Sequence, residues 1–259
     1  MINLYNFFHL NIAYSAIEEK ERPSVIDKCY WPLLRLAKKR KIKGGIELSG
    51  YTLETINEID PGWIQELKFL IDNEVCELIG CGYTQVIGPL VPSQVTEHNL
   101  KIGNDCYEEL LGVRPNVALL NEQSYSSGLV EIYKNAGFSA IIMEWDNPSF
   151  VNKHWNKETL YFPQYACDSH GNKIPIIWNS SIGFQKFQRY THGDLELDEI
   201  LNYINDQQAN HIRTFPVYGN DVEIFDFRPG RYMTEDSIHE DGEWTRIDHF
   251  YKKISEQNN

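Results

Sequence analysis

Tyr218-Gly219-Asn220-Asp221-Val222-Glu223-Ile224-Phe225-Asp226 follows a largely apolar run from Ile212 to Val217. The run, with His211, reads as a strand, and it ends in a glycine and then three acids within six residues. Like charges repel, and carboxylates lose solvation when they sit in a cleft. A strand that ends this way is either an ordinary solvated loop or a functional site. What precedes it along the chain decides what kind of strand it is.

Working back to the start, strand-like and helix-like segments alternate. Met1 to Phe8 reads as a strand. Pro23 to Lys41 reads as a helix, with Ile26, Leu33, Leu34 and Ala37 at helical spacing and a basic last turn. Strands are expected at Ile42 to Leu48, Val75 to Ile79, Val117 to Leu120, Phe138 to Met143 and Lys173 to Trp178. Between them, helices are expected at Pro61 to Asn73, Pro92 to Leu111, Gly128 to Ala136 and Leu195 to Asp206. Gly112 and Gly137 stop two of these. Phe138 to Met143 is almost wholly apolar, as a strand covered on both faces requires. A less regular insertion, Asn147 to Asn172, precedes the sixth strand, and Asp241 to Ile254 closes the chain as a helix.

Seven βα units with no linker and no repeat imply a parallel sheet, either a barrel or an open doubly wound sheet. Neither GxGxxG nor GxxxxGK[ST] is present, so nothing favours a nucleotide fold. The expectation is one α/β domain over residues 1–259, a seven-stranded parallel (β/α)7 barrel of distorted TIM-like form.

Composition narrows the partners. The 259 residues carry a net charge of −13 and are 42% hydrophobic. That excess of acid disfavours nucleic acid and anionic membrane surfaces, which need Lys and Arg. No run approaches the roughly 18 apolar residues of a membrane span, and the first residues, Ile2 to Phe8, carry no basic leader. Cys29, Cys76, Cys81, Cys106 and Cys167 form no CxxC, which suits reduced thiols in a cytoplasmic protein. Six Trp and fifteen Tyr hint at stacking on the apolar faces of sugar rings.

In such barrels chemistry lies at the C-terminal ends of the strands. Those ends carry His9 and Asn11, Glu47 and Ser49, then Cys81, Tyr83 and Gln85. Asn121, Glu122 and Gln123 follow the fourth strand, Glu144, Trp145 and Asp146 the fifth, Trp178 and Asn179 the sixth, and Asp221 and Glu223 the seventh. Acids, amides and aromatics suit a neutral, hydroxyl-rich ligand, and the lack of clustered Arg or Lys suits a phosphate badly. Glu122 directly after Val117-Ala118-Leu119-Leu120 is either a polar residue opening a helix or a catalytic acid. An Asp221 almost opposite it favours the second. His9, Asn11, Glu47, Gln85, Trp145, Asp146, Trp178 and Glu223 are expected to line the same pocket and bind substrate. Trp145 and Trp178 could equally be core.

Five pieces in order, Phe8-His9-Leu10-Asn11, Gly80-Cys81-Gly82-Tyr83-Thr84-Gln85, Leu120-Asn121-Glu122, Trp145-Asp146 and Asp221-Val222-Glu223-Ile224-Phe225, resemble the motif regions of glycoside hydrolase family 57. Gly242-Glu243-Trp244-Thr245-Arg246-Ile247 is similar to the family as well. The resemblance implies a seven-stranded barrel and retaining cleavage of mainly α-linked glucans and galactosides. It also implies a Glu nucleophile after strand four and an Asp general acid/base after strand seven, here Glu122 and Asp221. Where the family usually has a second His this chain has Asn11, where it often has a Glu it has Gln85, and where a glycine often follows the acid motif it has Asp226. A branch acting on a different glycan is the expectation.

Three functions compete. The first is a retaining glycosidase or transglycosylase with a carbohydrate substrate and no cofactor. The second is a metal-dependent polysaccharide deacetylase, which needs an Asp and two His as ligands. Residues Gly82 to Pro92 contain no His, and no Asp pair follows the first strand, so no metal is expected. The third is a non-catalytic glycan-binding protein.

Overall fold

A computed structural model describes residues 2–13, 16–227 and 242–257. The expected strand start at Met1 and helix start at Asp241 lie outside them. Eight strands, β1 (Ile2–Leu10), β2 (Gly44–Leu48), β3 (Cys76–Gly80), β4 (Val117–Leu119), β5 (Ala140–Glu144), β6 (Gln164–Cys167), β7 (Lys173–Asn179) and β8 (Arg213–Asp221), form one sheet. Their order is β6-β7-β5-β4-β3-β2-β1-β8. Every pairing is parallel except β6 with β7.

The parallel set is therefore the expected seven, curled into a (β/α)7 barrel. The insertion adds an eighth, antiparallel strand on the outer edge of β7. The ladder does not run on from β7 to β8. There the Asn179 side chain spans the gap, its Nδ2 donating to the Gly219 carbonyl at 2.7 Å. Gly219 is needed for this approach, since a Cβ there would lie 2.4 Å from both Asn179 Oδ1 and Phe7 Cε1. Pro216, which can donate nothing to a ladder, is tolerated because β8 pairs on one side only among the described residues.

The helices are α1 (Arg22–Val25), α2 (Trp31–Arg40), α3 (Gly50–Ile59), α4 (Pro61–Asp72), α5 (Ser93–Leu111), α6 (Leu129–Asn135), α7 (Asp146–Val151), α8 (Ser181–Thr191), α9 (Leu197–Asn205) and α10 (Glu243–Gln257). A π-helical turn, Ile26–Tyr30, joins α1 to α2, so the expected first helix is interrupted. Helices α3 and α8 fall in stretches not assigned from the sequence. Ser49 accepts from Thr52 N and caps α3, and Ser180 accepts from Gly183 N and caps α8.

Strand alternation divides the core and sets the site. Phe8, Leu10, Ile46, Leu48 and Leu78 pack outward against helices, in one cluster with Leu33, Leu53 and Leu67. Ile141, Met143, Trp145, Ile174, Ile176 and Trp178 do the same on the other flank. Phe7, Ile79, Leu119 and Ile142 face inward and fill the barrel. Two residues further along these strands, the inward positions become His9, Cys81, Asn121 and Glu144, and Asn179 follows inward-facing Ile177 in the same way. Polar residues thus replace the apolar layer at the strand ends.

Candidate active site

Above the layer of Phe7 and Leu119 lies a cavity of about 300 Å³. Glu122, Asp221, His9, Gln85, Glu144 and Asn179 are among the side chains that line it. Four of the expected residues therefore meet there: Glu122, Asp221, His9 and Gln85.

Asp221 ends β8 and pairs in register with His9 of β1. His9 Nε2 lies 3.8 Å from Asp221 Oδ1, and the Asp221 side chain is 45% exposed. Burial nevertheless raises the Asp221 carboxyl. The His9 charge opposes that shift, while Glu47 and Glu122 add to it. The interaction with Glu122 connects the two acids electrostatically.

His9 is held from behind. Its Nδ1 bonds the carboxylate of Glu47, a residue of β2 with no exposed surface. Its Nε2 stands 2.8 Å from the Gln85 amide. Burial pulls the imidazole down, but Glu47, by charge and hydrogen bond, with Asp221 and Glu223, overrides it and pushes His9 up to about 10. His9 is then a cation at neutral pH and donates from both nitrogens, which turns the Gln85 amide with its oxygen to His9 and its Nε2 to the Asn11 amide oxygen. Glu47 also faces the Cys81 thiol, which burial and that carboxylate push well up.

Glu223 sits beneath the cavity. It accepts from Asn11 N at 2.6 Å and from the Tyr30 hydroxyl. Burial and the charge of Asp221 push its carboxyl up to about 7, against the pull of Tyr30, His9 and the Asn11 amide. The Asn11 and Gln85 side-chain amides lie 3.1 Å apart. Glu47, Asn11 and Glu223 therefore support the cavity wall without being part of it.

Glu122 is placed by its backbone. Asn121, buried, donates from Nδ2 to the carbonyls of Cys81 at 3.1 Å and Val86 at 3.0 Å, which ties the end of β4 to the loop after β3. Glu122 then takes φ 52° and Gln123 φ 54°. Two successive non-glycine residues in the left-handed region cost energy and persist only when the surroundings impose them. The turn leaves the Glu122 side chain exposed at the cavity.

Trp145, Asp146 and Trp178 are not brought to this cavity, against expectation. Strands β5 and β7 each run one residue beyond the ends expected from the sequence, Met143 and Trp178, and neighbours along a strand face opposite sides. Trp145 and Trp178 are buried on the outer side, edge to face at 5.2 Å. The inward residues are Glu144 and Asn179. Asp146 instead holds the start of α8, accepting from Ser180 Oγ at 3.1 Å, Ser181 Oγ at 3.0 Å and Ile182 N at 3.2 Å. Glu144 accepts from Asp146 N at 2.5 Å and Asn147 N at 2.8 Å. The spacing of two from Ile142 and Ile177 is the signal that could have selected Glu144 and Asn179. Asn147, Ser181 and Phe184 arrive from helices and carry no such signal.

Asp226, which stands where the resembled motif often has a glycine, has φ 58°. Its side chain makes the position workable. Oδ1 accepts from Glu243 N at 2.9 Å, while Glu243 Oε2 accepts from Asp226 N at 2.6 Å. Buried Glu243 also bonds His192 Nδ1 at 2.6 Å, so α10 clamps the segment after Asp221. Among the described residues, Glu131, Asp168 and His170 are the group whose ligand atoms could together hold a metal ion, and none of them lines the cavity. No helix among the described residues is long and apolar enough to cross a membrane.

The family model for glycosyl hydrolase family 57 matches residues 5–235. An alpha-amylase of Pyrococcus furiosus is 24% identical over 88% of this chain and 33% of its own length. A 4-alpha-glucanotransferase of Thermococcus litoralis is 22% identical over 80% of this chain and 30% of its own. The chain thus spans about a third of the length of these curated relatives. Among solved structures, the T. litoralis 4-alpha-glucanotransferase superposes with a TM-score of 0.76 at 20% identity, covering 98% of this chain and 38% of that one. A branching enzyme of Pyrococcus horikoshii gives 0.71 at 13%, covering 99% and 68%.

Proposed function

The chain belongs to glycosyl hydrolase family 57, and we propose that it is a retaining glycoside hydrolase or transglycosylase acting on an α-linked glycan. In this reading residues 1–259 form a single catalytic barrel. Glu122 is the nucleophile and Asp221 the general acid/base. The Glu122 carboxylate attacks the anomeric carbon while the bond to the leaving oxygen breaks, and Asp221 gives that oxygen its proton. Asp221 then takes a proton from water or from an acceptor hydroxyl, whose oxygen displaces Glu122 from the anomeric carbon. Water gives hydrolysis, and a sugar gives transfer.

The observation that carries this reading is the shared cavity, in which an Asp raised by burial faces a second carboxylate that raises it further. A general acid must hold its proton near neutral pH. The cationic His9 works in the other direction, which matches a group that must also serve as a base in the second step. The amides of Gln85 and Asn179 at the cavity can bond sugar hydroxyls. The names of the relatives, alpha-amylase and 4-alpha-glucanotransferase, support an α-linked substrate. Free thiols at Cys29, Cys76, Cys81, Cys106 and Cys167 support a reducing, cytoplasmic setting.

A panel of aryl α- and β-glycosides tests the proposal, with Glu122→Gln as control and the product anomer followed by NMR. Turnover of an α-glycoside with retained configuration, lost in Glu122→Gln, is expected. An inverted product, or equal turnover in the variant, would overturn the assignment. No turnover on any member would leave glycan binding without catalysis.

A further inference from the structure

On the outer flank of the barrel, two clefts of about 450 and 410 Å³ meet at Trp145 and Trp155. Trp155 comes from the insertion between α7 and β6. Its ring lies 5.7 Å from Trp145 and 6.2 Å from Trp178. Those two indoles are buried and fixed against each other. Trp155 nonetheless remains 37% exposed, and Tyr165, on the same cleft, is 66% exposed. An isolated surface aromatic needs no explanation. An indole braced from behind and open in front is a preorganised platform that loses little entropy when a ligand covers it.

The polar groups around the platform narrow its ligand. His154, Asn156, Thr159 and Gln164 line the same cleft. Amides, a hydroxyl and an imidazole beside an open indole face suit a ring with apolar faces and hydroxyl edges. The place of the clefts narrows it further. Along the loop after β5, Glu144 and Asn147 face the cavity of the two acids, whereas Asp146 and Ser149 face the outer cleft. After β7, Ser181 faces the cavity, and Ser180 and Ile182 face the cleft. Neighbouring residues of the same segments thus line both spaces, and Trp155 lines the outer one.

We propose that the Trp155–Tyr165 cleft is a second glycan-binding site, which holds a distal stretch of the chain cut between Glu122 and Asp221. This rests on the reading of the substrate as a glycan. The alternative occupant is a second copy of the chain, because β6 is an edge of the sheet among the described residues and able to pair.

The test compares the wild-type chain with Trp155→Ala, Trp155→Phe and Tyr165→Ala. Migration in native gels containing amylose or glycogen reads binding, and turnover of a short aryl α-glycoside reads the acids alone. Retardation of the wild type, weakened roughly tenfold in Trp155→Ala and partly kept in Trp155→Phe, is expected. KM for amylose should rise while turnover of the short substrate stays unchanged. If Trp155→Ala melts early by circular dichroism, Tyr165→Ala carries the same test, since its side chain is largely in solvent. A wild type that no glycan gel retards overturns the proposal, as do variants that migrate like it. A dimer in light scattering that Trp155→Ala disperses also overturns it. Retardation without any turnover would remove the catalytic reading and leave this one standing. Turnover without retardation would do the reverse.

Discussion

On the β8 side of the barrel mouth, Asp221 sits over a stack of buried ionisable groups, with His9 against Glu47 and Glu223 against Tyr30. On the β4 side, Glu122 stands exposed on a turn whose backbone is left-handed at two successive residues. In the proposed roles the two rims solve different problems. A proton donor needs its affinity for the proton adjusted, and burial with neighbouring charges does that. A nucleophile needs its direction fixed, and a turn tied down by Asn121 does that. Charge is therefore the sensitive variable on one side, and geometry on the other.

The largest expected effect separates the rims through their chemistry. Glu122→Ala should lose turnover by on the order of 10⁴-fold or more, and azide should restore part of it with inverted product. Asp221→Ala should lose about 10²–10⁴-fold on poor leaving groups and much less on good ones, which need little protonation. Steady-state rates on an aryl glycoside series check both. Equal leaving-group dependence in the two variants would break the distinction.

Next comes the charge stack. Glu47→Gln removes the group that keeps His9 cationic, leaving the burial that pulls it down. The His9 imidazole should then be neutral at pH 8, where the wild-type ring is protonated, as nitrogen chemical shifts would report. A wild-type ring that titrates near its ordinary value would show that the stack does not tune this rim.

The same groups set a smaller effect on stability. Glu223 is raised from 4.5 to about 7, and His9 from 6.5 to about 10. In both windows the folded chain binds more protons than the unfolded one, so stability falls as pH rises. The Glu223 part is complete below about 4.5 and gone above about 7, and the His9 part is lost between about 6.5 and 10. Melting temperatures across pH should show Glu223→Gln flattening the lower window and His9→Asn the upper one. Unchanged slopes would rule out the buried charges as the cause.

The smallest effect belongs to the β4 side. Gln123→Gly should relieve left-handed strain and change stability by less than about 1 kcal/mol, because glycine also loosens the unfolded chain. Its rate should fall more than its stability changes if the turn aims Glu122. Comparing kcat with the chemical denaturation midpoint checks this, and a rate that simply follows stability would deny the turn its role.

Much of this was legible in the sequence, and the failures have physical causes. Strand β5 is covered on both faces, so its apolar run stood out. Strand β8 was ended four residues early, because Tyr218-Gly219-Asn220-Asp221 reads as loop until Asn179 is seen to need Gly219 beside it. Trp145 and Trp178 read from the sequence as core or as ligand platforms, because composition does not reveal which face a residue occupies. The inward pattern from Ile142 and Ile177 would have pointed to Glu144 and Asn179. Strand β6 pairs antiparallel inside an irregular insertion, and pairing partners are not written in local periodicity. Acids at the ends of β4 and β8 were visible as residues. The left-handed turn that directs Glu122 was not, since neither Glu122 nor Gln123 is a residue type that announces positive φ.

Trapping the covalent intermediate tests the central claim most directly. A 5-fluoro α-glycosyl fluoride should glycosylate the nucleophile of a retaining enzyme with loss of fluoride and leave it slowly, and peptide mass spectrometry then locates the sugar. The account predicts a stoichiometric adduct on Glu122, absent in Glu122→Gln, and a structure of the trapped form with the Glu122 and Asp221 carboxyls roughly 5–5.5 Å apart. An adduct on any other carboxylate, or steady turnover to an inverted product with no adduct at all, would contradict it.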